Sequence, residues 1–184
     1  MIIGITGTLG AGKGTIVDYL VECQKYRHYS VRSVLIEEIK KRKLVVNRDS
    51  MTSVANELRA KHSPSYIVDL LIERAQKANE NAIIESIRTP GEVESLKSNG
   101  DFYLFAVDAD PSSRYERIIK RNSETDQVTF EEFLSNEKRE MNSADPNKEN
   151  LLKCREMADF VISNDGSIED LNSQVSKIIK QIKD

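Results

Sequence analysis

Short runs of β-forming apolar residues recur along the chain and alternate with stretches of helical periodicity. Each run is only four to six residues long, which is the length of a buried strand rather than of a helix. The runs lie at residues 2–6, 82–87, 102–107 and 159–163, with a weaker candidate at residues 28–31. This alternation of strand and helix predicts a sheet whose strands are separated by helical crossovers.

The helical stretches between these runs carry apolar residues three and four positions apart. The last stretch is the clearest, with Ile168, Leu171, Val175, Ile178 and Ile182 on one face. Helix starts are marked by Thr-x-x-Glu patterns at residues 89–92 and 129–132, which are typical of capping boxes. Amphipathic helices of this kind bury one face against a sheet.

Strands that are apolar on both faces, joined by helices, predict a parallel sheet that is covered on both sides. We therefore expect an α/β fold, a doubly wound five-stranded parallel sheet, formed by a single domain over residues 1–184. Two stretches do not fit simple helical crossovers: residues of about 30–80 are too many for one helix, and residues of about 122–146 are polar and contain no strand pattern. We interpret them as an acceptor-binding excursion and a lid over the ligand site; additional structural helices are an equal alternative for the first.

Composition narrows the class of protein. The 184 residues include 27 Lys and Arg against 30 Asp and Glu, so the net charge is −3, and excess positive charge for nucleic-acid binding is absent. The longest apolar run, residues 102–107, is too short for a membrane span. Cys23 and Cys154 stand apart without partners at ligand spacing, and residues 1–4 do not resemble a secretion signal. We expect a cytoplasmic monomer or homodimer that binds neither nucleic acid nor membrane.

A glycine-rich segment follows the first strand and opens the first helix. It reads Gly7-Thr8-Leu9-Gly10-Ala11-Gly12-Lys13-Gly14-Thr15. Glycines permit a backbone whose N–H groups converge on one concavity, the helix N-terminus adds partial positive charge, and a lysine at this position reaches the outer phosphates. We expect this segment to bind ATP through Gly7, Leu9, Gly10, Ala11, Gly12, Lys13, Gly14 and Thr15, with Lys13 also catalytic.

The Gly-Lys-Gly-Thr sequence at residues 12–15 resembles the adenylate kinase group of nucleoside monophosphate kinases. The resemblance implies a P-loop fold that uses ATP as the phosphoryl donor together with Mg²⁺. It further implies that Thr15 holds phosphate oxygens and that the ion is carried by nucleotide and water, so that no protein residue is assigned as a metal ligand.

The end of the strand at 82–87 resembles the place where those kinases carry an acid followed by an arginine. Here the acid is Glu85 and the arginine is Arg88. The resemblance implies that Glu85 orients magnesium-bound water or accepts the acceptor's proton. Arg88 would grip the acceptor phosphate, because its planar fork matches phosphate oxygens in pairs. A solvated charge at a strand end is the alternative interpretation of Glu85.

Residues 29–35 resemble the stretch that closes over the acceptor in monophosphate kinases, with Ser30 at a matching position. Ile36 stands where those enzymes carry a phosphate-binding arginine, and Arg32 or Arg48 could take its place. We assign acceptor binding to Ser30, Arg32 and Arg88, with Arg59 as a further candidate. An ordinary solvated helix face is an even alternative for Arg59.

Two arginines four residues apart, Arg117 and Arg121, lie on one predicted helix face before the lid. Phosphoryl transfer needs cations around the transferred group, and this spacing resembles the lid entry of adenylate kinases and dephospho-coenzyme A kinases. We assign both a catalytic role and Arg117 also ATP binding. Arg139, within the lid, is a further acceptor-binding candidate. An exposed basic helix is the alternative for all three.

Residues 158–166 resemble the segment that dephospho-coenzyme A kinases place against adenine, which implies ATP contacts for Asn164 and Gly166. A turn followed by a helix cap explains the same residues equally well. Taken together, the sequence predicts transfer of the γ-phosphoryl group of Mg-ATP to a nucleoside or deoxynucleoside monophosphate. The alternatives are hydroxyl phosphorylation of the dephospho-coenzyme A kinase type and a nucleotide-binding sensor with little transferase activity.

Overall fold

The computed structural model describes residues 1–123 and 127–183. A parallel sheet lies at the centre, with strand order β2-β3-β1-β4-β5. The strands are β1 (Ile2–Gly7), β2 (Arg27–Ser30), β3 (Ala82–Ile87), β4 (Phe102–Asp108) and β5 (Phe160–Ser163). The expected doubly wound, five-stranded P-loop NTPase-type fold is confirmed. Because the strands are parallel, their carboxyl ends share one edge of the sheet.

Helices cover both faces of this sheet. They are α1 (Lys13–Gln24), α2 (Val31–Lys41), α3 (Arg48–Lys61), α4 (Tyr66–Ala78), α5 (Pro90–Ser98), α6 (Pro111–Arg121), α7 (Phe130–Met141), α8 (Leu151–Glu156) and α9 (Ile168–Lys183). The two expected capping boxes are present: Thr89 with Glu92 begins α5, and Thr129 with Glu132 begins α7. No helix within residues 1–123 or 127–183 combines the length and the apolar character needed to cross a bilayer.

Alternating strand residues divide the core into two layers. Ile84 and Leu104 pack with α2, α3, α4 and α5 on one face of the sheet. Ile83 and Phe105 pack with α1 and α9 on the other face. Since burial of a Leu, Ile or Phe side chain contributes about 1.5–3 kcal/mol, these two layers fix the strand ends that hold the site.

The excursion at about residues 30–80 consists of α2, α3 and α4. Val31 and Ile39 of α2 and Val54 of α3 are buried in the same apolar cluster as β3. These helices are therefore structural layers of the domain, while parts of α2 and α3 also reach the cavity described below.

An irregularity interrupts β3 beside β1. Ile5 pairs with Glu85, but the next residue, Thr6, pairs with Ile87, so that Ser86 is left out of the register. Ser86 has a φ of +68°, a left-handed conformation that costs a residue with a side chain roughly 1–2 kcal/mol. Strain of this kind is concentrated at functional sites. The bulge leaves both Glu85 and Ser86 lining the same cavity.

Candidate functional site

The glycine-rich loop between β1 and α1 has the backbone that the sequence predicts. Gly12, the N-cap of α1, has a φ of +105°, and a Cβ there would lie 2.1 Å from Nδ2 of Asn164. At Gly10, with a φ of +78°, a Cβ would lie 2.4 Å from the carbonyl oxygen of Arg114. Both positions exclude a side chain through conformation and space, so the loop can pass close to its neighbours.

Lys13 is folded back onto its own loop. Its Nζ donates to the carbonyl oxygens of Gly7 and Thr8, at 2.8 Å each. Burial, reinforced by the nearby cation of Arg88, lowers the pKa of Lys13 to about 8. The ammonium is thus held at the loop by two neutral oxygens, and anionic phosphate oxygens would compete well for it.

The loop is anchored to the end of β4. Oγ1 of Thr8 donates to Asp108 at 3.1 Å, and Nη1 of Arg155 donates to the other oxygen of the same carboxylate at 2.9 Å. Asp108 was not predicted from the sequence, although an acidic residue at the end of the strand beside β1 indicates a group near the loop. The Asp108 carboxylate links the glycine-rich loop of residues 7–15, called the phosphate loop below, to α8.

Arg114, a second missed residue, joins the loop to α7. Its side chain is 2% exposed and donates through Nε to the carbonyl of Ala109 at 2.7 Å and through Nη1 to the carbonyl of Leu9 at 3.3 Å. Two further bonds of 3.0 and 2.8 Å reach the carboxylate of Glu137 on α7, and the guanidinium lies over the Phe133 ring. One side chain therefore couples α6, the phosphate loop and α7.

Arg117 and Arg121 both line the same cavity as Lys13. Nη2 of Arg117 donates to the backbone oxygen of Asn164 at 2.7 Å, and Nδ2 of Asn164 donates to the carbonyl of Ala11 at 2.8 Å. These contacts tie the segment after β5 to the phosphate loop. Asn164 and Gly166 line the cavity as well, so the predicted ATP-contacting segment lies beside the loop.

Glu85 lies at the carboxyl end of β3, held by two hydroxyls. Oγ of Ser30 donates to Oε1 at 3.0 Å and Oγ of Ser86 donates to Oε2 at 2.6 Å, while Nε2 of His28 lies 3.9 Å from Oε1. Ser30 is also the N-cap of α2. The hydroxyls orient the Glu85 carboxylate, which is a fixed acidic group in the cavity.

Arg88 is paired with carboxylates from α7 and from the segment before α8. Its Nη1 donates to Glu140 at 2.8 Å and to Glu149 at 3.2 Å. The other oxygen of Glu140 accepts a hydrogen bond from Arg48 of α3. Burial alone would raise the pKa of the Glu140 carboxyl, but Arg88 and Arg48 outweigh burial and hold that pKa below its ordinary value. Burial alone would lower the pKa of Arg88, but Glu149 and Glu140 raise it instead.

The remaining predicted arginines lie in different surroundings. Arg32 lines the cavity beside Met51, whose Sδ is 3.4 Å from Nη1. Arg59 is 1% exposed and donates through Nε and Nη2 to Oε1 of Glu92, at 3.1 and 2.8 Å. The alternative of a solvated helix face for Arg59 is therefore wrong: the residue forms a buried ion pair between α3 and α5, and it borders the cavity.

Arg139 does not line the cavity. It is exposed, donates to Asn136 at 3.1 Å and lies 3.8 Å from Asp49. The reason is helical geometry: Phe133, Glu137 and Glu140 are spaced four and three apart on the inward face of α7, whereas Arg139 is rotated away by about 100°. The residue of α7 that lines the cavity and contacts Arg88 is thus an acid, Glu140.

These groups surround one cavity of about 900 Å³. The phosphate loop with Lys13 and Thr15 forms one side; Glu85 and Arg88 form part of another. An apolar wall from α2 and α3 completes it, made of Val31, Leu35, Met51 and Ala55. Among residues 1–123 and 127–183, no cluster of three or more His, Cys, Asp or Glu has the arrangement of a metal site. The arrangement can hold a polyphosphate at the loop and a second, partly apolar molecule beside it.

The sheet order, the loop with Lys13 and the helices over the strand ends define a P-loop kinase-like α/β protein. The chain belongs to the family described as "AAA domain", whose model matches residues 3–145. It is also 30% identical to a UPF0200 protein of Methanocaldococcus jannaschii, over 99% of this chain and 90% of that protein.

Solved structures agree at the level of the fold. TT1252 from Thermus thermophilus superposes with a TM-score of 0.65 at 20% identity, covering 98% of this chain and 97% of that one. Shikimate kinase from Bacteroides thetaiotaomicron has a TM-score of 0.61 at 12% identity, covering 98% of both chains. The predicted P-loop kinase-like fold is confirmed by these superpositions.

Proposed function

We propose that the protein is an ATP-dependent phosphotransferase that moves the γ-phosphoryl group of Mg-ATP to a nucleoside or deoxynucleoside monophosphate. The observation that carries this proposal is the continuous cavity joining the phosphate loop to Arg88 and to an apolar wall. A donor needs only the loop; the additional cation and the additional apolar wall favour a second substrate that has both a phosphate and a ring. The P-loop kinase-like fold supports the same class of reaction.

Donor binding would use the phosphate loop. The backbone of residues 7–15 and the ammonium of Lys13 meet the β- and γ-phosphates, Lys13 exchanging its two carbonyl partners for phosphate oxygens. Asn164 and Gly166 lie beside the loop, where an adenine ring would pack. Thr15, one residue beyond Gly14 on α1, adds a hydroxyl for a phosphate oxygen.

Acceptor binding would use the other side of the cavity. Val31, Leu35 and Met51 offer apolar contact to a base, while Arg88 lies where the acceptor phosphate would meet the donor. Arg32 borders the same wall and supplies a second cation. Arg88 and the Lys13 ammonium lie close enough that the former lowers the pKa of the latter, which supports adjacent phosphate positions.

The transfer step is a displacement at phosphorus. An oxygen of the acceptor phosphate forms a new bond to the γ-phosphorus while the bond to the β,γ-bridging oxygen breaks, and ADP leaves. Arg117 and Arg121 would neutralise charge on the transferring group, since both line the cavity beside the loop. Mg²⁺ bound with ATP supplies further charge neutralisation, and Glu85 is the residue that would hold its water. Catalysis is then positioning and electrostatics, with the lid excluding water as a competing acceptor.

Phosphorylation of a hydroxyl group is a second candidate function. The observation in its favour is that Arg88 already carries two carboxylates, Glu140 and Glu149, which compensate its charge. A neutral acceptor would leave that pairing intact. In that case Glu85 would accept the proton of the attacking hydroxyl. A nucleotide-binding sensor with little transferase activity is the remaining alternative from sequence.

The proposal is tested by measuring ADP release from Mg-ATP with a panel of acceptors. The panel contains ribo- and deoxynucleoside monophosphates, dephospho-coenzyme A, and no acceptor. We expect a large stimulation by one monophosphate, lost in Lys13→Ala and retained in Lys177→Ala, an exposed lysine on α9. Stimulation by dephospho-coenzyme A alone would select the hydroxyl reaction. ATP binding with no stimulation by any acceptor would contradict the transferase.

A further inference from the structure

A carboxylate of the lid lies between two arginines of the acceptor side. Glu140, on α7, is 3% exposed. One of its oxygens accepts from Arg48 of α3, and the other accepts from Nη1 of Arg88 at 2.8 Å. The single carboxylate of Glu140 therefore joins α7 to α3 and to the residue that follows β3.

The surroundings of Glu140 are those of an anion-binding site. Arg48 and Arg88 both line the cavity, and among the described residues the buried Nε of Arg48 has no hydrogen-bond partner. Two guanidinium groups with a donor to spare match the several oxygens of a phosphate better than the two of a carboxylate. The site also lies near the point of transfer, because both Arg88 and Glu140 act electrostatically on Lys13.

We infer that Glu140 is an internal substitute for the acceptor phosphate, and that a phosphate monoester displaces it from between Arg48 and Arg88. This inference rests on the proposed function and deepens it, since it names Arg48 as a ligand of the acceptor and a phosphate dianion as the group recognised. While Glu140 lies between the two arginines, its hydrogen bonds hold the end of α7 against the cavity. When a phosphate takes its place, the carboxylate moves out and the lid contact with Arg48 and Arg88 is exchanged for substrate contacts.

Displacement makes the site selective for charge. A neutral acceptor has no charged group that could replace the Glu140 carboxylate, so the hydrogen bonds of Glu140 with Arg48 and Arg88 stay in place. A phosphate dianion brings more charge and more acceptor oxygens than the carboxylate, and it can reach the unpartnered Nε of Arg48. Glu149, which also accepts from Arg88, remains to orient that guanidinium.

The test measures anion binding directly, without turnover. Inorganic phosphate and a nucleoside monophosphate are titrated separately by calorimetry into wild type, Glu140→Gln and Glu131→Gln. Glu131 is an exposed carboxylate on the same helix, so its variant carries the same change of charge outside the cavity. We expect Glu140→Gln to bind both ligands about tenfold more tightly than wild type, since the competing ion is gone, and Glu131→Gln to match wild type.

A second measurement uses the wild-type protein and so does not depend on a variant's folding. Hydrogen exchange of residues 130–141 is followed with and without the monophosphate, in the absence of ATP. We expect faster exchange at the C-terminal end of α7 when the monophosphate binds, because the Glu140 contacts are released. Unchanged or slower exchange would overturn the inference.

The outcomes separate this inference from the proposed function. Equal affinity of wild type and Glu140→Gln for both ligands, or no binding by either protein, overturns the displacement. If Glu140→Gln binds more tightly but the protein transfers no phosphate to any acceptor, the displacement is supported and the proposed kinase activity is contradicted. Tighter binding of inorganic phosphate alone, with the monophosphate unchanged, contradicts an acceptor role for the site.

Discussion

The Lys13 ammonium is held by two carbonyls of its own loop, and this contact links its protonation to nucleotide binding. Its pKa, about 8, is well below the ordinary lysine value of 10.5 because of burial and the nearby Arg88 cation. Phosphate oxygens bind the charged form. Binding of ATP above pH 8 therefore requires uptake of a proton by Lys13, and the affinity for ATP depends on pH.

We expect the dissociation constant of ATP to be nearly constant between pH 6.5 and 7.5 and to increase above pH 8, by up to about tenfold per pH unit. Titration calorimetry in buffers of different ionisation enthalpy measures both the affinity and the proton uptake. The matched control is Lys13→Arg, whose guanidinium stays charged throughout and which should bind more weakly but without this pH dependence. A flat profile in the wild type would contradict the argument.

At the scale of elements, one buried ion pair joins α3 to α5. Arg59 and Glu92 are 1% and 0% exposed, and Glu92 also accepts from the backbone N–H groups of Arg88 and Thr89. The pair therefore fixes the start of α5 directly after the end of β3. Removing the cation leaves a carboxylate in the core with only part of its hydrogen bonding.

We expect Arg59→Ala to lower the free energy of unfolding by about 3–5 kcal/mol, because an uncompensated charge stays buried. Arg27→Ala is the control: its ion pair with Glu80 is exposed on both sides, and we expect less than about 1 kcal/mol. Chemical denaturation followed by circular dichroism measures both. Similar small losses in the two variants would show that the buried pair contributes little.

The docking of α7 depends on Arg114. Its planar fork bonds both oxygens of Glu137 and, at the same time, the carbonyls of Leu9 and Ala109. Lysine keeps the charge but cannot make this set of contacts. Arg114 bonds Glu137 rather than Glu140, so its contacts are separate from those that the acceptor would displace. Without them, α7 would hold the phosphate loop less well during the proposed transfer.

We expect Arg114→Lys to reduce the turnover number by about tenfold or more and to increase hydrogen exchange in residues 130–141. Lys120 lies on the exposed side of α6, the helix that carries Arg114, and Lys120→Gln should leave both quantities unchanged. Turnover is measured with the acceptor found in the panel, and exchange by mass spectrometry. Normal turnover together with increased exchange would show that Arg114 docks α7 but that this docking does not affect catalysis.

At the scale of the whole molecule, periodicity and the loop sequence were sufficient to predict the fold. Five apolar runs and their intervening helical faces gave the strands to within about one residue at most ends, and residues 7–15 located the phosphate loop. These signals are local: a strand, a glycine turn and a helix cap are each encoded by neighbouring residues. The position of Asn164 and Gly166 is encoded locally too, because both residues follow β5 at the carboxyl edge of the sheet.

Contacts between distant segments could not be predicted in the same way. The bulge at Ser86 depends on the register of β3 against β1. The burial of Arg59 depends on Glu92, which is 33 residues away. Glu140 could not be found from the sequence either, since the inward face of α7 is set by contacts with Arg114 and Phe133 rather than by the charges of the helix itself.

The central claim is that the phosphate loop and the acceptor side act together to transfer a phosphoryl group. The most direct measurement follows the label from γ-³²P-ATP in the presence of Mg²⁺ and each acceptor, separating acceptor product from inorganic phosphate by chromatography. We predict that label appears on one monophosphate acceptor, and that little is released as inorganic phosphate. Label released only as inorganic phosphate, whatever acceptor is present, would contradict the claim.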